Sequence, residues 1–177
     1  SLKISIIKAD GSLVSEASAP VATSSPYPGW SEQNPEDWWL AACDALRRGL
    51  KASGRPASDI AAISFSAGAH TQVLEDADGH IIRPAILWND QRSRDETQQL
   101  RDKADARILE IGANRANPTW TLPQMLWLRH HEPESFSRVK RLYVAKDWLR
   151  AQFTGTWETD TIDALGTLML DAQSAEW

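Results

Sequence analysis

The sequence predicts an α/β layered domain with a mixed β-sheet flanked by helices. Strand-spaced segments joined by a turn signal come first, over residues 2–22, and helical patterns then alternate with single strand-like runs from Pro35 onward. No internal repeat or low-complexity tract interrupts that order. A chain of 177 residues is one ordinary domain and is long enough to enclose a sizeable core.

Leu2, Ile4 and Ile6 alternate with Lys3 and Ser5, which is strand spacing. Asp10-Gly11 is a hairpin turn signal, and residues 13–22 return as a second strand. Residues 24–29 hold two Pro and a Gly and read as a loop. Asn34 then caps a helix, Pro35 suits its first position, and Glu36 and Asp37 complement its dipole. Trp39, Cys43, Leu46 and Leu50 fall on one face at helical spacing, which marks Cys43 as a core thiol. Arg47, Arg48 and Lys51 lie toward the C-terminal end, and Gly54 stops the helix.

Residues 60–65 read as a short apolar strand. Gln72–Glu75 and Ile81-Ile82 flank Asp76-Ala77-Asp78-Gly79, a second hairpin signal. Residues 91–107 form a charged, solvated helix, and 109–117 finish it and loop. Thr121–His131 is a further helix that turns Leu122, Met125, Leu126 and Leu128 toward a core. Residues 139–144 are a strand, 147–153 a short helix ended by Gly155, and 157–170 a brief strand with a turn.

Net charge is −5 with no dominant basic patch, which argues against a nucleic-acid partner. Cys43 is alone, so an internal disulfide and a Cys-rich zinc site are excluded, in keeping with a reducing, cytoplasmic setting. No apolar run approaches the roughly 18 residues of a membrane span, and no secretory leader pattern opens the chain. Ser1 begins inside a strand pattern and Trp177 ends without a terminal signal, so a fragment of a larger protein is expected. Neither a phosphate-binding G-x-x-x-x-G-K-[ST] loop nor a G-x-G-x-x-G turn is present. Ser66-Ala67-Gly68 lacks the flanking glycine of a nucleophile elbow. His130 and His131 are adjacent and point to different faces of a helix, so no joint metal site is read from them.

Two segments suit a small polyhydroxylated ligand. Pro84-Ala85-Ile86-Leu87-Trp88-Asn89-Asp90-Gln91-Arg92 delivers a ring for an apolar face, then an amide and a carboxylate for hydroxyls. The same residues also read as a buried Trp followed by an Asn-Asp helix cap. Ser66-Ala67-Gly68-Ala69-His70-Thr71 follows a strand, and its small residues let backbone approach a ligand while His70 presents an imidazole. A histidine satisfied within a core is the competing reading. One hairpin separates the two segments, which would return both edges to one pocket. Nine Trp against three Phe leave one or two indoles over as sugar platforms.

Several motifs in order carry a resemblance. Trp30-Ser31-Glu32-Gln33-Asn34-Pro35-Glu36-Asp37-Trp38-Trp39 resembles the W-x-E-Q-x-P-x-x-W-W segment of xylulokinase-like members of the FGGY carbohydrate kinases. Arg83 through Asp90 with Arg92 resembles the same group. So do the helix at Thr121–His131 with Glu132-Pro133-Glu134, Ala145-Lys146-Asp147-Trp148-Leu149-Arg150, Thr154-Gly155, Asp163-Ala164 with Gly166-Thr167, and Leu170-Asp171. The resemblance implies an actin-like, ribonuclease-H-like fold of two lobes with a cleft between them. Residues 1–177 would be a truncated N-terminal, sugar-binding lobe, without its first strand, its phosphate loop or the C-terminal lobe.

It further implies ATP and Mg²⁺ as cofactors, transfer of the γ-phosphoryl group to a sugar hydroxyl, and a catalytic Asp beyond this stretch. The expected substrate is a pentulose such as xylulose, with another ketose or a polyol as alternatives, and the parent enzyme is expected to be a homodimer. By resemblance, Ala69, His70, Trp88, Asn89, Asp90 and Trp120 border the sugar, and Lys3 ends the phosphate loop. The G-Q-M-H-G pattern is here Ala67-Gly68-Ala69-His70-Thr71, which points to altered substrate choice, and Gln124 stands where a family signature carries Lys. The alternative function is a non-catalytic carbohydrate-binding or scaffold module on the same fold. A metal-dependent nuclease of ribonuclease-H type ranks behind both, because residues 60–65 supply no carboxylate.

Overall fold

The computed structural model describes residues 1–177. Strands β1 (Leu2–Ile7) and β2 (Leu13–Ala19) form an antiparallel hairpin. Helix α1 (Pro35–Ser53) lies across it, started by the Asn34 side chain accepting from Glu36 N–H and ended by Gly54 in the left-handed region. The helix approaches the hairpin with its small residues. Ala41, Ala45 and Gly49 are buried, whereas Trp39, Cys43, Leu46 and Leu50, the expected core stripe, are only half-buried. The physical reason is distance. A Cβ at Gly49 would stand 2.6 Å from Ile4 Cδ1, and Ser15 Oγ donates to Gly49 O at 2.8 Å across the seam. A stripe of large side chains would hold the backbones apart.

The strands do not merge into the expected mixed sheet. They form three two-stranded antiparallel sheets: β1 with β2, β3 (Glu32–Gln33) with β5 (Ala85–Ile86), and β4 (Gln72–Glu75) with β6 (Arg141–Val144). The expected strand at 60–65 is the main correction. A 3₁₀ turn at Ala57–Asp59 leads into it, but the backbone groups of residues 61–65 make no backbone hydrogen bond. With no strand alongside to complete a ladder, an apolar sequence alone does not make a strand. The second hairpin shrinks to a single bridge, Glu75 to Ile81, because β4 takes β6 as its main partner.

Helices α2 (Arg94–Gly112), α3 (Thr121–His131), α4 (Pro133–Arg138), α5 (Ala145–Thr154) and α6 (Thr161–Gly166) complete the chain. Helix α2 is mostly solvated, as its charge predicts. Helix α3 buries Pro123, Gln124, Trp127 and Leu128 and leaves Leu122, Met125 and Leu126 half-buried. Helices α4 and α6 were not expected. Pro133 at the first position starts α4, and Asp160 starts α6 by accepting from the N–H groups of Ile162 and Asp163.

The core has two main clusters. Trp38, Val73, Ala85, Tyr143, Ala145 and Trp148 form one, and Leu74, Ile86, Trp127 and Leu128 the other. Both use β4 and β5, which border the segments ending at Thr71 and beginning at Leu87. No helix is long and apolar enough to cross a membrane.

Candidate functional site

A cavity of about 350 Å³ opens where β4 begins, lined by Gly68, Ala69, His70, Trp88 and Thr119. It joins three of the expected residues, Ala69, His70 and Trp88, and adds Gly68 and Thr119. Trp88 is 59% exposed beside the opening. Gly68 lets that ring come close, since a Cβ there would sit 3.1 Å from Trp88 Cδ1. Thr119 is held by Asn117, whose Oδ1 accepts from the Thr119 N–H and Oγ1 at 3.1 Å each. The Asn117-Pro118 turn was the only sequence signal for it.

His70 has φ of 60°, a left-handed conformation that costs an L residue about 1–2 kcal/mol. Surrounding contacts hold it there. Thr121 Oγ1 donates to His70 O at 3.3 Å, and the imidazole stacks on Trp120 at 4.3 Å with 14° between planes. Trp120 therefore stands behind His70. Nδ1 is enclosed without a hydrogen-bond partner, which makes Nε2 the nitrogen available to a ligand. Burial pushes the imidazole below its ordinary value of 6.5, against the opposing pull of the Asp163 carboxylate and the Gly166 backbone.

Asp90 does not face the cavity. It is 1% exposed, and both carboxylate oxygens are engaged. Oδ2 accepts from Ser31 N–H at 2.6 Å and Arg92 Nη2 at 2.8 Å. Oδ1 accepts from Arg92 N–H at 2.8 Å and Nε at 2.9 Å. Arg92 also donates to Glu32 Oε1 at 2.7 Å, and its guanidinium lies over the Trp30 ring at 3.7 Å. Arg83 reaches the same Glu32 oxygen at 2.6 Å. The Trp30-to-Glu32 and Arg83-to-Arg92 motifs are thus two halves of one buried ion network. Its charged groups compensate one another, so the expected contact of Asp90 with a sugar hydroxyl has no free oxygen to make it. Asn89 is exposed next to Trp88 and does not line the cavity.

Lys3 lies on β1 and pairs with Glu16 of β2 at 2.7 Å. A single paired lysine without a converging set of backbone N–H groups does not build a triphosphate site. Asp76, Asp78 and His80 cluster closely enough for a cation. However, Asp76 Oδ1 already accepts from the N–H groups of Asp78 and His80, and Oδ2 is paired with Arg138. Neither Lys3 by itself nor this cluster therefore forms a site for a nucleotide or Mg²⁺.

Two charge clusters were missed in the sequence. Lys146 Nζ is held by Asp147, Asp160 and Asp163 at 2.7, 2.8 and 3.2 Å. The buried Glu96 on α2 meets His130 Nδ1 at 3.2 Å and His131 Nε2 at 3.3 Å. The adjacent histidines reach one carboxylate after all, because they lie in the last turn of α3 and flank it.

Residues 1–177 match the family described as FGGY family of carbohydrate kinases, N-terminal domain. The chain belongs to the FGGY family of carbohydrate kinases. It is 39% identical over its whole length to a xylulose kinase from Lactococcus lactis and 37% identical over 99% of its length to one from Bacillus subtilis. It spans 35% of the length of each of these relatives. The crystal structure of a xyloylose kinase from Brucella ovis superposes with a TM-score of 0.93 at 34% identity, over 99% of this chain and 36% of that one. A gluconate kinase from Lactobacillus acidophilus, 22% identical with a TM-score of 0.90, covers 99% of this chain and 35% of its own and shares the fold alone. The three small sheets and their helices are accordingly part of an actin-like architecture.

Proposed function

We propose that the protein carrying this chain is an ATP-dependent sugar kinase that phosphorylates a hydroxyl of a pentulose such as xylulose, with residues 1–177 as its sugar-binding lobe. The observation that carries this reading is the cavity of Gly68, Ala69, His70, Trp88 and Thr119 in a chain whose full length aligns with xylulose kinases. His70 Nε2 hydrogen-bonds a sugar hydroxyl, Trp88 covers an apolar face of the sugar, and Trp120 keeps the imidazole in place. Fixing the acceptor hydroxyl in this way lowers the entropic part of the barrier. ATP supplies the phosphoryl group and Mg²⁺ neutralises its charge. The residues that hold them, together with the general base, belong to segments outside 1–177, and the kinase acts in the cytoplasm.

The test is ADP formation by the longer protein with D-xylulose, other pentuloses, hexuloses and polyols. The expected result is turnover with a pentulose, at least a tenfold rise in KM for His70→Ala, and none by the isolated chain. Absence of turnover with every sugar, while sugar still binds, would favour a non-catalytic carbohydrate-binding module. Phosphorylation by the isolated 177-residue chain would refute the division of labour.

A further inference from the structure

We infer that Gly166 is a positioning residue for the sugar: the Trp120 ring against one face of the His70 imidazole and the bare backbone of α6 against its Nδ1–Cε1 edge hold the ring and set the nitrogen it offers to the cavity. The inference rests on the sugar-site reading above and goes beyond it to a residue distant in sequence. One face of the imidazole is covered by Trp120 at 4.3 Å. Against the ring lies Gly166, where an added Cβ would stand 2.5 Å from His70 Cε1 and closer still to Nδ1. Only a residue without Cβ leaves room for the ring in this place.

The wall is fixed at both ends, although α6 has only six residues. At its start, Lys146 holds Asp160 and Asp163 at 2.8 and 3.2 Å. At its end, Thr167 Oγ1 donates to Ala164 O at 2.6 Å, and Thr167 O accepts from Leu122 N–H of α3 at 3.0 Å. Helix α3 also carries Thr121, which holds the His70 carbonyl. One face of the ring and its wall are thus anchored to the same helix. A methyl group at position 166 meets a fixed wall on one side and the imidazole on the other. The imidazole, a side chain that lines the cavity and is held on this side by stacking alone, is the element expected to shift.

The experiment compares Gly166→Ala, His70→Ala and the double variant in the full-length protein. D-xylulose is the phosphoryl acceptor, and imidazole ¹H–¹⁵N spectra report on His70. In Gly166→Ala, KM for D-xylulose is expected to rise about tenfold with a smaller change in kcat. The His70 titration midpoint, kept low by burial, is expected to move upward as the ring reaches solvent. In the His70→Ala background the second substitution is expected to change KM by less than about twofold, because the ring it displaces is gone. If Gly166→Ala alone melts early, the double variant recovers the melting temperature. An unmoved His70 titration, an equal Gly166→Ala effect in both backgrounds, or a double variant that stays unfolded overturns the inference. A titration that moves while KM does not overturns the sugar-site reading of the cavity instead.

Discussion

Asp90→Asn separates a structural carboxylate from a ligand-binding one. The change preserves shape and removes charge. In the parent, four donors converge on the two oxygens: Ser31 N–H, Arg92 N–H, Arg92 Nε and Arg92 Nη2. An asparagine turns one oxygen into an amide nitrogen. That loses two of the four hydrogen bonds and points a donor at two donors, in a place that is 1% exposed. Bonds to charged partners are worth about 1.5–3 kcal/mol each, and breaking one side of a buried ion pair costs about 3–5 kcal/mol. Glu32 remains on Arg92 Nη1 at 2.7 Å and holds the loss near the lower end, about 3 kcal/mol. For a domain of this size that corresponds to a fall of roughly 6–12 °C in melting temperature. Urea and thermal unfolding followed by tryptophan fluorescence measure it directly. The variant is expected to be destabilised by this amount, with D-xylulose KM changed less than about threefold below its melting transition. Stability within about 1 kcal/mol of the parent together with a tenfold rise in KM would refute the reasoning and return Asp90 to the sugar site.

Arg92→Lys keeps the charge but loses the planar fork toward Asp90 and the stacking on Trp30, and is expected to lower unfolding free energy by about 2 kcal/mol in urea titrations. Glu96→Gln removes the anion that His130 and His131 share, so faster hydrogen exchange is expected in the last turn of α3, with a stability loss of about 1–3 kcal/mol. Unchanged exchange there would show that the two contacts do not tie α3 to α2. The Lys146 cluster gives a pH signature. Its hydrogen bond to Lys146 holds the Asp160 carboxyl below the ordinary 3.8, so this contribution is complete above pH 3.8 and is lost as pH falls through the lowered value. Burial alone would push Lys146 down, but bonds to Asp147 and Asp160 outweigh it and raise the group above its ordinary 10.5, so on the alkaline side the contribution persists past that pH. The stability gap between parent and Lys146→Met is therefore expected to stay level between pH 5 and 9 and to narrow below pH 3.8. A gap that widens in acid contradicts the assignment.

Features decided by neighbouring residues were legible in the sequence. Asn34-Pro35 started α1 and Gly54 ended it, since caps act within a turn of the chain. The solvated character of α2 and the extent of α3 were legible for the same reason. The helical stripe on α1 was misread, because hydrophobicity ranks Trp39 and Leu46 above Ala41, Ala45 and Gly49, while close packing against a hairpin favours the smaller residues. The strand at 60–65 was misread because apolar composition does not supply a hydrogen-bonding partner.

The ordered motifs by themselves determined the family and brought Ala69, His70 and Trp88 forward as one candidate pocket. Local chemistry and spacing suffice for that. Tertiary structure alone decided which polar groups remain free within it. Asp90 and His70 were both candidates in sequence, each with a buried structural role as the competing reading. Asp90 is consumed by Arg92 and Ser31, whereas His70 is turned by a left-handed backbone, backed by Trp120 and pressed against Gly166. A carboxylate or imidazole becomes a binding group only when its other partners leave an atom unsatisfied, and those partners come from distant parts of the chain.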